Sequence, residues 1–334
     1  VSTTSTNVAL GRGVIVPICT PLDPADQIDT ASLRRLLDHL VAHGVHGIFA
    51  LGTTGEFGFL TDAQRALVVE TCAEHLAGRL PLLVGISDTA SERAIVQAER
   101  LIPRGADAVV ATAPFFAATA EPEIRTHFQR IKQAIGETPL FAYENPPRVN
   151  GRSIPAEAVL DLGADGTLAG LKDSSGDSAY LDLVLSGREE RGLDGFRVLT
   201  GSETHALDGL RAGADGIVPG LGNVDPAGYV RLYDEWESAP HEAEQEQRRL
   251  CDLFNIVRIP THAPMGGSSQ ALGAFKAALR QLGVLDDDRC APPSVLLDDS
   301  DRAAVANLLA AFGPAPRSAR DRDPADGDGS RVHI

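Results

Sequence analysis

A lysine closes the apolar run Gly166-Thr-Leu-Ala-Gly-Leu-Lys172, and Asp173-Ser-Ser-Gly176 turns the chain directly after it. At the end of a buried strand, an amine walled by apolar residues loses its proton more readily than a solvated one. A neutral amine can attack a ketone and form a Schiff base. Only three residues among the 30 Lys and Arg are lysines, and the other two, Lys132 and Lys276, fall in helical patterns. A second apolar run ends at Tyr143, in Tyr143-Glu-Asn-Pro-Pro-Arg148. A phenol beside an amine and a ketone can pass protons during carbinolamine formation and C–C cleavage; the competing reading of Tyr143 is a core aromatic. Arg148 offers a fork of donors for a carboxylate, or is a solvated loop arginine. In Gly52-Thr53-Thr54-Gly55-Glu56, backbone N–H groups at a glycine turn and two hydroxyls make a small anion pocket suited to a carboxylate, or else a turn that caps the next helix. Asp173 reads as a cap for the turn that follows it.

These residues need elements that bring strand ends together. Short apolar runs alternate with amphipathic stretches. Val14–Cys19, Gly47–Leu51, Leu80–Gly85, Ala108–Ala111, Pro139–Tyr143, Leu168–Lys172, Phe196–Thr200 and Gly216–Pro219 read as strands. Between them lie helical patterns, among them Thr30–Val41, the stretch opened by Thr61-Asp-Ala-Gln, Glu121–Ile135 and Glu203–Ala212. Gly44-Val-His-Gly-Ile-Phe-Ala, Gly105-Ala-Asp-Ala-Val-Val-Ala and Gly213-Ala-Asp-Gly-Ile-Val-Pro echo one another. Continuous apolar runs predict parallel strands buried on both faces. About eight such units predict a closed (β/α)8 TIM barrel over residues 13–238 rather than an open doubly wound sheet, for which the Gly-rich fingerprint is missing. Residues 239–313 carry helical patterns without strands and read as a C-terminal helical appendage. Residues 1–12 read as a loose arm, and 314–334, rich in Asp, Arg, Gly and Ser, as a disordered tail.

The net charge of −16 and the lack of a basic cluster before the tail argue against a nucleic-acid partner. No apolar run reaches the roughly 18 residues of a membrane span. The four cysteines are far apart, and Val1 to Leu10 has no apolar core of a leader, which together predict a cytoplasmic protein with reduced thiols. His39 and His43 are four apart but lack a third ligand, so no metal is expected.

Gly52-Thr-Thr-Gly-Glu56, Tyr143 with Asn145-Pro146, and Lys172 with the Gly176-Asp177 turn, in that order and spacing, resemble the dihydrodipicolinate synthase and N-acetylneuraminate lyase superfamily over about residues 11 to 312. The resemblance implies a class I aldolase mechanism on a barrel with a C-terminal helical domain, usually in a homotetramer. It implies a 2-oxo acid substrate of the pyruvate type, a covalent lysine imine in place of a cofactor, and a homo-oligomer (tetramer or dimer). By resemblance Lys172 is the Schiff-base lysine and Tyr143 the proton-transferring phenol. Thr53 and Thr54, at the Gly52 turn, meet the pyruvoyl carboxylate and relay protons. Arg148 matches the position that holds the carboxylate of the synthase's second substrate, and the backbone of Val218 lines the pocket. Two positions depart. Phe116 stands where the family places a tyrosine from a neighbouring subunit, and phenylalanine cannot relay a proton. Glu144 interrupts the usual Tyr-Asn-x-Pro and is a candidate for altered specificity, or a loop carboxylate facing water. The expected function is a Schiff-base lyase, aldolase or dehydratase, acting on pyruvate or a related 2-oxo acid such as a 2-keto-3-deoxy sugar acid or 4-hydroxy-2-oxo acid. Alternatives are dihydrodipicolinate synthase, which Arg148 favours and Phe116 opposes, and a non-catalytic 2-oxo-acid-binding protein.

Overall fold

The computed structural model describes residues 10–314 except 260 and 262. Eight strand-helix units follow in order: β1 Gly13–Pro17, α1 Thr30–Ala42, β2 Gly47–Ala50, α2 Asp62–Leu76, β3 Leu82–Gly85, α3 Ser91–Leu101, β4 Ala108–Thr112 and α4 Glu121–Ile135. Then come β5 Leu140–Glu144, α5 Ala156–Ala164, β6 Gly170–Asp173, α6 Ser178–Glu190, β7 Arg197–Thr200, α7 Ala206–Arg211, β8 Gly216–Ile217 and α8 Pro226–Glu235. Every neighbouring pair is parallel, and β8 closes on β1 through Gly13 opposite Gly216, so the sheet is a closed barrel. This is the TIM barrel that the alternation of runs predicts. The three echoed segments lead into β2, β4 and β8.

The strands are apolar on both faces because each face is covered. Residues of one parity, including Ile15, Phe49, Leu83, Val110, Phe141 and Leu199, fill the lumen. Those of the other parity, such as Val14, Ile48, Val84 and Leu171, pack under the helices. Sequence signals start the helices where the chain leaves the barrel. Asp29 accepts from the backbone N–H of Ala31 and Ser32 at α1, and Thr61 with Gln64 forms a capping box at α2. Asp177 accepts from Ala179 and Tyr180 at α6.

Three further helices follow: α9 Pro240–Phe254, α10 Gly267–Gln281 and α11 Asp299–Phe312. Arg249 of α9 ties this layer to the barrel, donating to Asp225 at 2.5 Å and to the Phe312 carbonyl at 2.5 Å.

The structure corrects several sequence expectations. Residues 10–12 are not a loose arm: Leu10 packs against the lumen cluster at the bottom of the barrel, and Arg12 faces Asp215 at 3.5 Å. Strand β6 begins at Gly170 rather than Leu168, because Leu168 donates to the Leu162 carbonyl at the end of α5. It runs one residue past Lys172, with Asp173 opposite Glu144. Helix α7 begins at Ala206 rather than Glu203. Tertiary bonds hold the preceding residues off the helix: the Glu203 carboxylate accepts from Leu221 N–H at 2.9 Å, and its carbonyl accepts from Gln247 at 3.1 Å. The proposed tail and the first nine residues lie outside the described residues, Pro314 excepted.

Candidate active site

Lys172 lies on the lumen side of β6, in register with Tyr143 on β5 and Leu199 on β7. Two residues earlier on the same face stands Gly170, where a Cβ would come within 2.5 Å of the Phe141 ring and 2.4 Å of the Arg197 carbonyl. Phe141 therefore fills the layer beneath Lys172, and the lysine stem has a closed apolar floor. The side chain is only 6% exposed. Its Nζ sits 4.2 Å from the centroid of the Tyr143 ring and 4.9 Å from that of Phe49, which are cation–π distances. Val218 completes the wall of this small chamber together with Ile15, Leu83, Val110 and Leu199. The Val218 N–H is engaged by the Thr200 carbonyl at 2.8 Å.

The phenol of Tyr143 points toward the open end of the barrel. Its oxygen lies 3.3 Å from Thr53 Oγ1 and accepts from Asn145 Nδ2 at 2.8 Å. Burial pushes this phenol up. The Lys172 amine opposes that, with help from Thr53, Asn145 and Ser174, and the net effect is a pKa below the ordinary tyrosine value. The amine and phenol are thus electrostatically coupled, as a proton-transfer pair requires.

Thr53 is held by the loop after β2. Leu51, at φ +57°, and Glu56, at φ +58°, both adopt left-handed backbone that side chains other than glycine resist. The loop passes so close to β3 that a Cβ on Gly85 would lie 2.0 Å from the Leu51 carbonyl. From beneath, Thr20 Oγ1 donates to the Gly55 carbonyl at 2.8 Å. From behind, the Glu56 carboxylate pairs with the Lys276 ammonium of α10 and accepts from Ala291 N–H at 2.5 Å. Gly52, Thr53 and Thr54 follow the first strained residue of this loop, and of the three Thr53 reaches the Tyr143 phenol.

Arg148 stands at the edge of an adjoining cavity of about 170 Å³, where it donates to Ser268 Oγ of α10 at 2.6 Å. Thr53 lines the same cavity, and its Oγ1 is the atom 3.3 Å from the Tyr143 phenol. Asp173 caps the turn after β6 by accepting from Ser175 N–H at 2.8 Å, as its place in the sequence suggests.

Two expected site residues fall elsewhere. Glu144 is neither in a loop nor facing water. It is fully buried on β5, with the parity of Leu140 and Ala142, so it points under the helices and away from the lumen. Its carboxyl is held by Ser153 Oγ and by Ile154 N–H at 2.8 Å, and burial pushes its pKa up to about 7. A period of two along the strand makes this inevitable: if Tyr143 faces in, Glu144 faces out. Phe116 is 84% exposed on the loop between β4 and α4, and its carbonyl accepts from Asn150 Nδ2 at 3.4 Å.

Sequence reading also missed residues. Glu203 lies close enough for its charge to act on Lys172. Burial raises its carboxyl to about 7 against the lowering effect of the Leu221 and Gly220 N–H groups and of Lys172 itself. Nothing local marks it. Lys276 had a legible signal: Leu272 and Leu279 are on its side of the helix at positions i−4 and i+3, so a lysine there sits on an apolar face and needs a buried partner. Among the described residues no cluster of three His, Cys, Asp or Glu side chains could hold a metal ion, and no helix is long and apolar enough to cross a membrane.

Residues 11–312 match the model of the dihydrodipicolinate synthetase family. The chain is 30% identical to an uncharacterised DapA-like lyase of Halobacterium salinarum, over 90% of this chain and 94% of that protein. It is 26% identical to a probable 2-dehydro-3-deoxy-D-pentonate aldolase of Escherichia coli, over 91% and 98% of the two chains. Among solved structures it resembles dihydrodipicolinate synthase of Bacteroides thetaiotaomicron, with a TM-score of 0.83 and 30% identity over 91% of this chain and 99% of that one. The match spans the barrel, the strand-end lysine and the helical layer together, and the chain belongs to the dihydrodipicolinate synthetase family, as a class I lyase.

Proposed function

We propose that this lyase makes or breaks the bond between C3 and C4 of a 2-oxo acid, with pyruvate as the common fragment and Lys172 as the covalent group. The observation that carries the reading is the pairing of Lys172 Nζ with Tyr143, whose hydroxyl lies 3.3 Å from Thr53 Oγ1. In the synthetic direction the Lys172 amine adds to the ketone carbon, and water leaves to give an imine. Loss of a C3 proton turns the imine into an enamine. The enamine C3 then bonds the carbon of an aldehyde, whose π electrons move to its oxygen, and that oxygen takes a proton. Water finally releases the 4-hydroxy-2-oxo acid and frees the amine. Tyr143, with its pKa lowered, carries protons to and from the carbinolamine oxygen, and Thr53 links it to the barrel mouth. The Gly52-Thr53-Thr54 turn holds the 2-oxo acid's carboxylate, and Val218 forms part of the apolar wall beside Lys172. The protonated imine is itself the electron sink, so this chemistry calls for no separate cofactor. Glu144 takes no part in substrate binding in this reading.

The dihydrodipicolinate synthase reaction is the second reading. Arg148 at the cavity edge supports it, because an acidic aldehyde would find a guanidinium there. Phe116 opposes it, because the hydroxyl that the family borrows from a neighbouring subunit is absent. The outward exposure of Phe116 fits a homo-oligomer in which this loop reaches another copy.

The test is borohydride reduction in the presence of pyruvate, followed by peptide mass spectrometry. A stable adduct on Lys172, absent in Lys172→Ala together with all but about one per cent of turnover, is the expected result. Binding of pyruvate without an adduct would instead favour a non-catalytic binding protein. An adduct on Lys132 would show that the site is misplaced.

A further inference from the structure

The cavity beside Thr53 has a chemistry that narrows the aldehyde partner. Its walls are Phe57, Phe59, Phe115, Val149 and Leu272. The rings of Phe57 and Phe115 meet edge to face with centroids 6.5 Å apart. The one carboxylate on the lining, Glu56, is engaged by Lys276 and the Ala291 N–H. The other polar side chains on the lining are Arg148, bonded to Ser268 at the edge, and Thr53 and Thr112.

Thr112 bounds the cavity on the lumen side. It ends β4, two residues after Val110 and four after Ala108, both in the lumen cluster, so its side chain shares their face. It is only 4% exposed, and its Oγ1 is closed to solvent and has no hydrogen-bond partner among the described residues. That leaves no room for a ligand oxygen at hydrogen-bond distance from Oγ1, so Thr112 bounds the cavity as wall rather than as a donor.

We propose that the aldehyde partner is an arylaldehyde. Its ring lies among the three phenylalanines, Val149 and Leu272, and its carbonyl, whose oxygen becomes the C4 hydroxyl, lies toward Thr53. Size agrees: an apolar cavity of about 150 Å³ accepts a benzene ring, and this one is about 170 Å³. Chemistry agrees as well. A sugar-derived aldehyde would lay several hydroxyls along walls that offer them no partner, and each one left unpaired costs binding. A ring loses nothing there and gains the aromatic contacts. An acidic substituent on the ring would lie toward Arg148. This assignment rests on the Schiff-base reading of Lys172.

The experiment incubates the full-length protein with pyruvate and either benzaldehyde or D-glyceraldehyde and follows aldol product by mass spectrometry. Borohydride trapping of pyruvate is run on the same samples. The expected result is a trapped Lys172 and a kcat/KM for benzaldehyde at least about tenfold that for glyceraldehyde. Phe115→Ser, on a half-buried loop, and Leu272→Ser should each narrow that ratio by about tenfold. Trapping with equal or faster glyceraldehyde addition, or with neither aldehyde reacting, would overturn the assignment and leave the lyase reading standing. Variants that lower both aldehydes equally would overturn it too. Absence of trapping would remove the Schiff-base reading, and this assignment with it.

Discussion

The Glu56 carboxylate and the Lys276 ammonium form an ion pair from which solvent is wholly excluded, joining the loop that carries Thr53 to helix α10. Burial alone would drive the Lys276 ammonium toward neutrality. Glu56 outweighs it and holds the lysine above its ordinary pKa. Lys276 also donates to the Arg289 carbonyl at 2.8 Å, while Glu56 accepts from Ala291 N–H, so the pair anchors the segment after α10 as well. Glu56 is one of two residues in this loop with left-handed backbone, and the pair is the fixed point that opposes the resulting strain.

Breaking this pair from one side is expected to be worse than removing it whole. Lys276→Met leaves a buried carboxylate without its partner and should cost about 3–5 kcal/mol of stability. Glu56→Gln with Lys276→Met removes both charges and should recover most of it. Chemical denaturation checks the stabilities, and kcat checks the loop. If the pair positions Thr53, the double variant regains its unfolding midpoint while its kcat stays low. Full recovery of kcat would mean that the pair serves stability alone.

Arg148 predicts a selective loss. Arg148→Ala should raise KM for substrates with a second carboxylate by about 10-fold to 100-fold, the range expected for a charge-assisted hydrogen bond. Neutral aldehydes should change little, because Arg148 sits at the edge of the cavity. Steady-state kinetics with benzaldehyde and 4-carboxybenzaldehyde separates the two, and an equal change in both would remove the carboxylate role.

Glu144 predicts a pH-dependent stability. Its ordinary pKa is 4.5, and burial raises it to about 7 in the folded chain. The folded state therefore holds a proton that the unfolded chain releases. The resulting stability is fully present below about pH 4.5 and is lost as pH rises through about 7. Glu144→Gln keeps an uncharged side chain beside Ser153 and Ile154. It should gain on the unsubstituted protein in thermal unfolding between pH 5 and pH 8. A constant difference between the two proteins across that range would show that Glu144 is already ionised.

The barrel, its strand order and a lysine near the end of the sixth strand were all legible in the sequence. Parallel strands buried on both faces leave long apolar runs, and helix starts such as Asp29, Thr61 and Asp177 are written in local side-chain chemistry. Lys172 was legible because a charge at the end of an apolar run is locally anomalous. Strand and helix ends were less so. Leu168 and Glu203 are diverted by bonds to residues distant in sequence or across a loop, which no local propensity records. That β5 continues through Glu144, pairing it with Asp173 and so turning it away from the lumen, became visible only in the folded chain. Tertiary structure alone joined Lys276 to Glu56 across 220 positions and placed Thr112 on the wall of an aromatic cavity. Partnership between buried groups is a property of packing: each residue of such a pair is unremarkable in its own segment, and its chemistry begins where the two segments meet.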